Sequence, residues 1–236
     1  QGLSDNQVTC TIHDKQGFIW IGTKDGLNRY DGQDFYVFKH NEKDINSLCG
    51  NIISCLEIDN DSLLWIGSAS SGMCSYDFRT GKFKTYNKSN SELNVNNIND
   101  ITFDKNRNCL WIAQNNAGLQ LFDLKTKATD KNKKLISTNT YYDVLVNDTI
   151  PYFAGIIESL KRLGNIGKFR TQVSDTAMTI NKIFLGSDNH LWCGAWDNGL
   201  HQFDLNGKRL ATWFFDRSLK LKLSGDEILC LAEDEN

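Results

Sequence analysis

The stretch Phe18-Ile19-Trp20-Ile21-Gly22 recurs as Leu63-Leu64-Trp65-Ile66-Gly67, as Cys109-Leu110-Trp111-Ile112-Ala113 and as His190-Leu191-Trp192-Cys193-Gly194. The tryptophans stand 45, 46 and 81 residues apart. Behind each comes a glycine with an apolar partner: Gly26-Leu27, Gly72-Met73, Gly118-Leu119 and Gly199-Leu200. An aromatic residue followed by aspartate comes next: Tyr30-Asp31, Tyr76-Asp77, Phe122-Asp123 and Phe203-Asp204. Ahead of the tryptophans run Val8…Asp14, Ile53-x-x-Leu56-x-x-Asp59, Ile98-x-x-Ile101-x-x-Asp104 and Ile180-x-x-Ile183. A fifth copy opens at Ile228-x-x-Leu231-x-x-Asp234.

Short apolar runs separated by Gly, Asn and Asp are strands joined by tight turns, as at Asp-Lys-Gln-Gly (14–17) and Asp-Asn-Asp-Ser (59–62). Each repeat holds four such strands. One four-stranded unit cannot bury both its faces, so copies must stack, and radial stacking makes a β-propeller. The expected fold is therefore all-β: a propeller of four full blades (about 3–41, 46–89, 96–176 and 178–216) and the start of a fifth (224–236), as part of a seven-bladed ring. Trp20, Trp65, Trp111 and Trp192 are read as structural, wedged between neighbouring blades, because a ligand site needs no tryptophan in every repeat.

The 81-residue spacing leaves extra residues, and matching Gly167–Thr171 to Gly81–Thr85 puts them at 125–166, as an insertion in the third blade. Phe153, Ile156, Ile157 and Leu160 share one helical face, with Asp148 or Thr149 as cap, Pro151 in the first turn and Gly164 at the end. The reading is a helix near Pro151–Leu163, laid on the propeller flank or contacting another subunit or domain.

The bulk composition narrows the function. The chain has 236 residues, 40% hydrophobic and 23% charged, with net charge −3. That is ordinary globular material with no electrostatic footprint for nucleic acid. The basic run Lys131–Lys134 reads as a solvated loop. No stretch of about 18 apolar residues offers a membrane span. The seven cysteines include no Cys-x-x-Cys; Cys10, Cys55 and Cys230 fall at one repeat position and read as buried thiols, with disulfides left open. His13, His40, His190 and His201 have no metal-ligand spacing, and Asp59-Asn60-Asp61 lacks the rest of a calcium loop. No nucleophile elbow or P-loop occurs, and no cofactor is expected.

The pattern from Leu3 to Asp31, Leu-Ser-x-Asn-x-Val…Asp-x-x-Gly-x-Ile-Trp-Ile-Gly-Thr-x-x-Gly-Leu-x-x-Tyr-Asp, closely resembles the two-component regulator propeller repeat. The resemblance extends over 3–124 and 178–236, with Ala113 and Cys193 departing from the pattern. It implies the periplasmic sensor region of a Bacteroides-type hybrid two-component histidine kinase, held in the inner membrane by regions outside this sequence. Such regions detect glycan fragments and switch on polysaccharide-utilisation genes. The expected partners are an oligosaccharide and further blades or copies of the same protein. A propeller enzyme (polysaccharide lyase or glycoside hydrolase) and a protein-interaction scaffold are the competing readings.

A sugar site needs an aromatic platform with polar groups beside it. Among the loops that join second and third strands, only Ala195-Trp196-Asp197-Asn198 supplies both. Trp196, Asp197 and Asn198 are the candidate ligand residues, with Lys24 and Arg29 added for an acidic glycan; no catalytic or metal residues are assigned.

Overall fold

The computed structural model describes residues 2–60, 62–129, 139–148, 150–156, 160–163, 169–171, 178–214, 223 and 225–234. Among them, twenty strands form five four-stranded antiparallel sheets, each a simple meander. The first sheet is β1 (Val8–His13), β2 (Ile19–Thr23), β3 (Gly26–Tyr30) and β4 (Phe35–Phe38). The second is β5 (Ile53–Ile58), β6 (Leu63–Ser68), β7 (Met73–Asp77) and β8 (Lys82–Tyr86). The third is β9 (Ile98–Asp104), β10 (Cys109–Gln114), β11 (Gly118–Asp123) and β12 (Ala128–Thr129). The fourth is β13 (Tyr141–Asn147), β14 (Ile150–Gly155), β15 (Leu160–Leu163) and β16 (Phe169–Thr171). The fifth is β17 (Ile180–Leu185), β18 (Leu191–Ala195), β19 (Leu200–Phe203) and β20 (Arg209–Trp213). The chain divides into two compact units, Gln1–Thr138 and Asn139–Asn236.

The five sheets share one irregularity. Pairing of the first two strands skips one residue near the start of the first strand: Thr9, Ser54, Asn99, Tyr142 and Asn181. A bulge at one register in every sheet makes them copies of one blade.

The fourth sheet corrects the reading of 125–166. This stretch is not a helical insertion in the third blade, because β13–β16 form a blade of their own and the third blade closes immediately with β12. The Phe169–Thr171 strand pairs with β15, not with the third sheet. Pro151 to Gly155 is strand, not helix, and all five residues are buried. A strand covered on both faces carries no alternation, and a short apolar run of this kind fits a helical period by chance. Pro151 is tolerated because the β14–β15 ladder runs only over Tyr152–Ala154. Asp148 does not cap a helix; at φ 52° it occupies the tight β13–β14 turn. Thr149, Ile157 and Gly164, and likewise Lys131–Lys134 and Asp61, lie outside the described residues.

Tyr152 takes the tryptophan's place in this blade. Leu145 pairs with Tyr152 as Ile12 pairs with Trp20, counted from the same bulge. Its hydroxyl donates to Leu205 O of the fifth sheet at 3.0 Å.

In the first unit the tryptophans pack across to the next sheet. Trp20 meets Tyr76 and Phe78, and Trp65 meets Phe122. Trp20, Trp65 and Trp111 are fully buried. Trp192 is only half-buried and stacks on Trp213. Of the three aligned cysteines, Cys55 is buried, Cys10 half-buried and Cys230 exposed, so the common buried role fails for the last.

Neighbouring segments approach closely at Gly22, Gly67 and Gly194, the glycines that follow three of the Trp-x pairs. A Cβ on Gly67 would fall 2.4 Å from Cys55 Sγ and 3.0 Å from Ile98 of the next sheet. Gly194 meets Ile228 in the same way, which seats the 225–234 segment beside the fifth sheet as a further first strand would sit.

Candidate functional site

The loops between second and third strands are clamped on both sides. Lys24, Ala69, Asn115 and Trp196 each donate their N–H to the residue just before their own sheet's first strand: Gln7, Ile52, Asn97 and Thr179. Gly26, Gly72 and Gly199 donate to Asn51, Asn96 and Asp226 of the following segment. These backbone bonds hold the loop rigid while leaving the side chain at its head free to project.

Trp196 projects there. It is 43% exposed and stacks on Tyr142, ring centroids 5.4 Å apart and planes 28° apart. Tyr142 is the bulge residue of β13, and a bulge re-aims the side chain it carries. Sequence reasoning missed Tyr142, because its blade was not recognised. Asp197 is exposed and Asn198 half-buried on the same loop. The result is a two-ring apolar platform with a carboxylate and an amide at its edge.

The two basic candidates do not converge. Lys24 is exposed on the β2–β3 turn. Arg29 sits toward the other end of β3, its guanidinium 4.6 Å from the Phe18 ring and 4.9 Å from Tyr36. That sandwich is a packing role. Lys24 and Arg29 belong to the first unit and Trp196 to the second.

Buried carboxylates are engaged in structure. Asp14, Asp59 and Asp104 accept the indole N–H of Trp20, Trp65 and Trp111 at 2.7, 3.0 and 3.2 Å. Asp143 accepts from Lys182 Nζ and from Ile183 N, both at 2.5 Å. Glu57 accepts the Phe103 N–H at 2.9 Å, yet burial pushes its carboxyl up to about 7, with the Asp59 charge adding to the effect. Among the described residues no cluster of His, Cys, Asp and Glu fits a metal ion. No helix among them is long and apolar enough to cross a membrane.

Stacked four-stranded meanders with one bulge register define a propeller-type all-β protein. Residues 2–25 match the family model described as two component regulator propeller, the family read from Leu3–Asp31. A 47-residue stretch is 43% identical to histidine kinase P4 of Formosa agariphila, covering 20% of this chain and 3% of that protein. The fold is similar to the extracellular domain assigned to the hybrid two component system BT3049 of B. thetaiotaomicron. The TM-score is 0.78 at 24% identity, over 93% of this chain and 32% of that one. The extracellular domain assigned to the hybrid system BT4673 of the same organism gives 0.67 at 17% identity, over 97% of this chain and 36% of that one. The chain thus spans about a third of the solved structures it resembles.

Proposed function

We propose that this chain is part of the periplasmic sensor region of a hybrid two-component histidine kinase, and that it binds a glycan fragment on the Trp196–Tyr142 platform. In this reading it passes the binding event to the kinase that controls polysaccharide-utilisation genes. The observation that carries the ligand assignment is the exposed ring pair on a loop pinned by backbone bonds at both ends. A sugar lays its C–H face on such a platform, and Asp197 and Asn198 stand ready for its hydroxyls. Support for the sensor role comes from the matched repeat and from what the similar proteins are.

Leu210, Trp213 and Phe214 expose apolar surface at the outer part of the fifth sheet. Further blades or another copy of the protein would cover it, in keeping with a larger ring.

Titration of defined oligosaccharides against the chain and its Trp196→Ala and Tyr142→Ala variants tests the ligand assignment. Each substitution is expected to weaken binding about tenfold, the scale of one aromatic stacking contact. Unchanged affinity in both folded variants overturns the platform. Cleavage of the oligosaccharide during the titration would replace the sensor reading with the enzyme reading.

A further inference from the structure

A second concave region lies in the first unit. An open groove of about 700 Å³ runs along β8, lined among others by Ser75, Lys82, Lys84, Tyr86, Asn87 and Lys127. The Lys84 ammonium lies 5.3 Å from the Tyr86 ring and the Lys127 ammonium 5.0 Å from the buried Trp65 ring. Among the described residues neither lysine is in an ion pair. Asp77 also lines the groove, but its carboxylate is held by the Arg79 and Thr80 amides. Asp59 acts on Lys127 through space, and its oxygens are committed to Trp65, Ser62 and Leu63. Burial lowers the Lys127 pKa; the Asp59 charge opposes this, and the Lys84 charge adds a smaller lowering. Lys84 and Lys127 therefore share a groove in which, among the described residues, neither ammonium is ion-paired.

The backbone supplies a second, independent observation. In the second blade the turn after Asp77 closes with Gly81 at φ 67°, its N–H on Asp77 O. The same turn in the third blade closes with Lys127 at φ 55°, its N–H on Asp123 O. A left-handed residue favours glycine, and a side chain there is strained. Strain kept where the repeat offers a glycine marks a side chain retained for what it does. Here that side chain carries the second ammonium into the groove.

We propose that the groove along β8 is an oxyanion site that takes a carboxylate or sulfate group between the Lys84 and Lys127 ammoniums. The inference goes beyond the platform reading and does not depend on it. Sulfate is the tetrahedral probe, and glucuronate is the probe for a carboxylate carried on a sugar.

Calorimetric titration of the whole chain with sodium sulfate and with sodium glucuronate, each against sodium chloride at equal ionic strength, tests it. Saturable binding of at least one anion is expected, and which one binds identifies the oxyanion. Lys84→Gln and Lys127→Gly should each weaken that binding about tenfold, as loss of one charge-assisted contact does. Lys127→Gly restores the residue of the preceding blade, so its melting temperature should be no lower than that of the parent chain. No saturable binding of either anion beyond the chloride control overturns the proposal, as does binding that both variants retain in full.

Discussion

The indole N–H of Trp20 donates to Asp14 Oδ2 at 2.7 Å, across a turn of six residues. The other carboxylate oxygen of Asp14 accepts the Gln16 and Phe18 amides, so one side chain organises the β1–β2 turn and fixes the tryptophan. The same clasp joins Asp59 to Trp65 and Asp104 to Trp111. In the fifth sheet Gly186 stands where the aspartate would be. A buried indole needs a partner for its one donor, and a carboxylate that also caps the turn supplies it.

Removing that carboxylate leaves a buried donor unpaired. Asp14→Ala is expected to lower stability by about 1–3 kcal/mol. Thermal and urea melts measure the loss. Trp20→Phe in the Asp14→Ala background should then cost less than it does in the parent chain. Independent, additive losses would show that the clasp is not the coupling between them.

Gly67 is held to glycine by its neighbours. Its Cβ would sit 2.4 Å from Cys55 Sγ and 3.0 Å from Ile98 Cγ2. Gly67→Ala should cost about 1–3 kcal/mol by overpacking. Adding Cys55→Ala removes the closer clash and should recover part of the loss, read as non-additivity of at least about 0.5 kcal/mol. A Gly67→Ala protein that melts like the parent would refute close approach as the constraint.

Glu57 gives the protein a pH-dependent element. Its folded-state pKa of about 7 lies above the ordinary 4.5, so between these values the folded chain holds more protons than the unfolded one. Stability therefore falls as pH rises through this window, and the penalty is complete above it. Glu57→Gln keeps an oxygen for the Phe103 N–H and loses the charge. The variant should be more stable than the parent by on the order of 2 kcal/mol at about pH 8, with the advantage vanishing near about pH 4. Denaturant midpoints across pH report this, and a pH-independent difference would contradict the assignment.

Much of the architecture was legible because local chemistry repeats where the blade repeats. The tryptophan, the glycine behind it and the aromatic-Asp turn each meet the same physical demand in four sheets. The fourth sheet was illegible for the same reason. Tyr152 stands at the tryptophan position, and a two-residue turn at Asp148 removes the need for the aspartate clasp. Without those marks β14, buried on both faces, has no period to read.

By itself the sequence determined the blade and its turns, because hydrogen-bonding and glycine requirements act within a few residues. It also singled out Trp196 as a tryptophan the repeat does not need. Only the tertiary structure decided that Trp196 stacks on Tyr142, that Arg29 is spent between Phe18 and Tyr36, and that Lys84 and Lys127 share one groove. Those relationships join residues brought together by the stacking of separate sheets or the pairing of separate strands. Sequence spacing cannot reveal where such rings and charges meet.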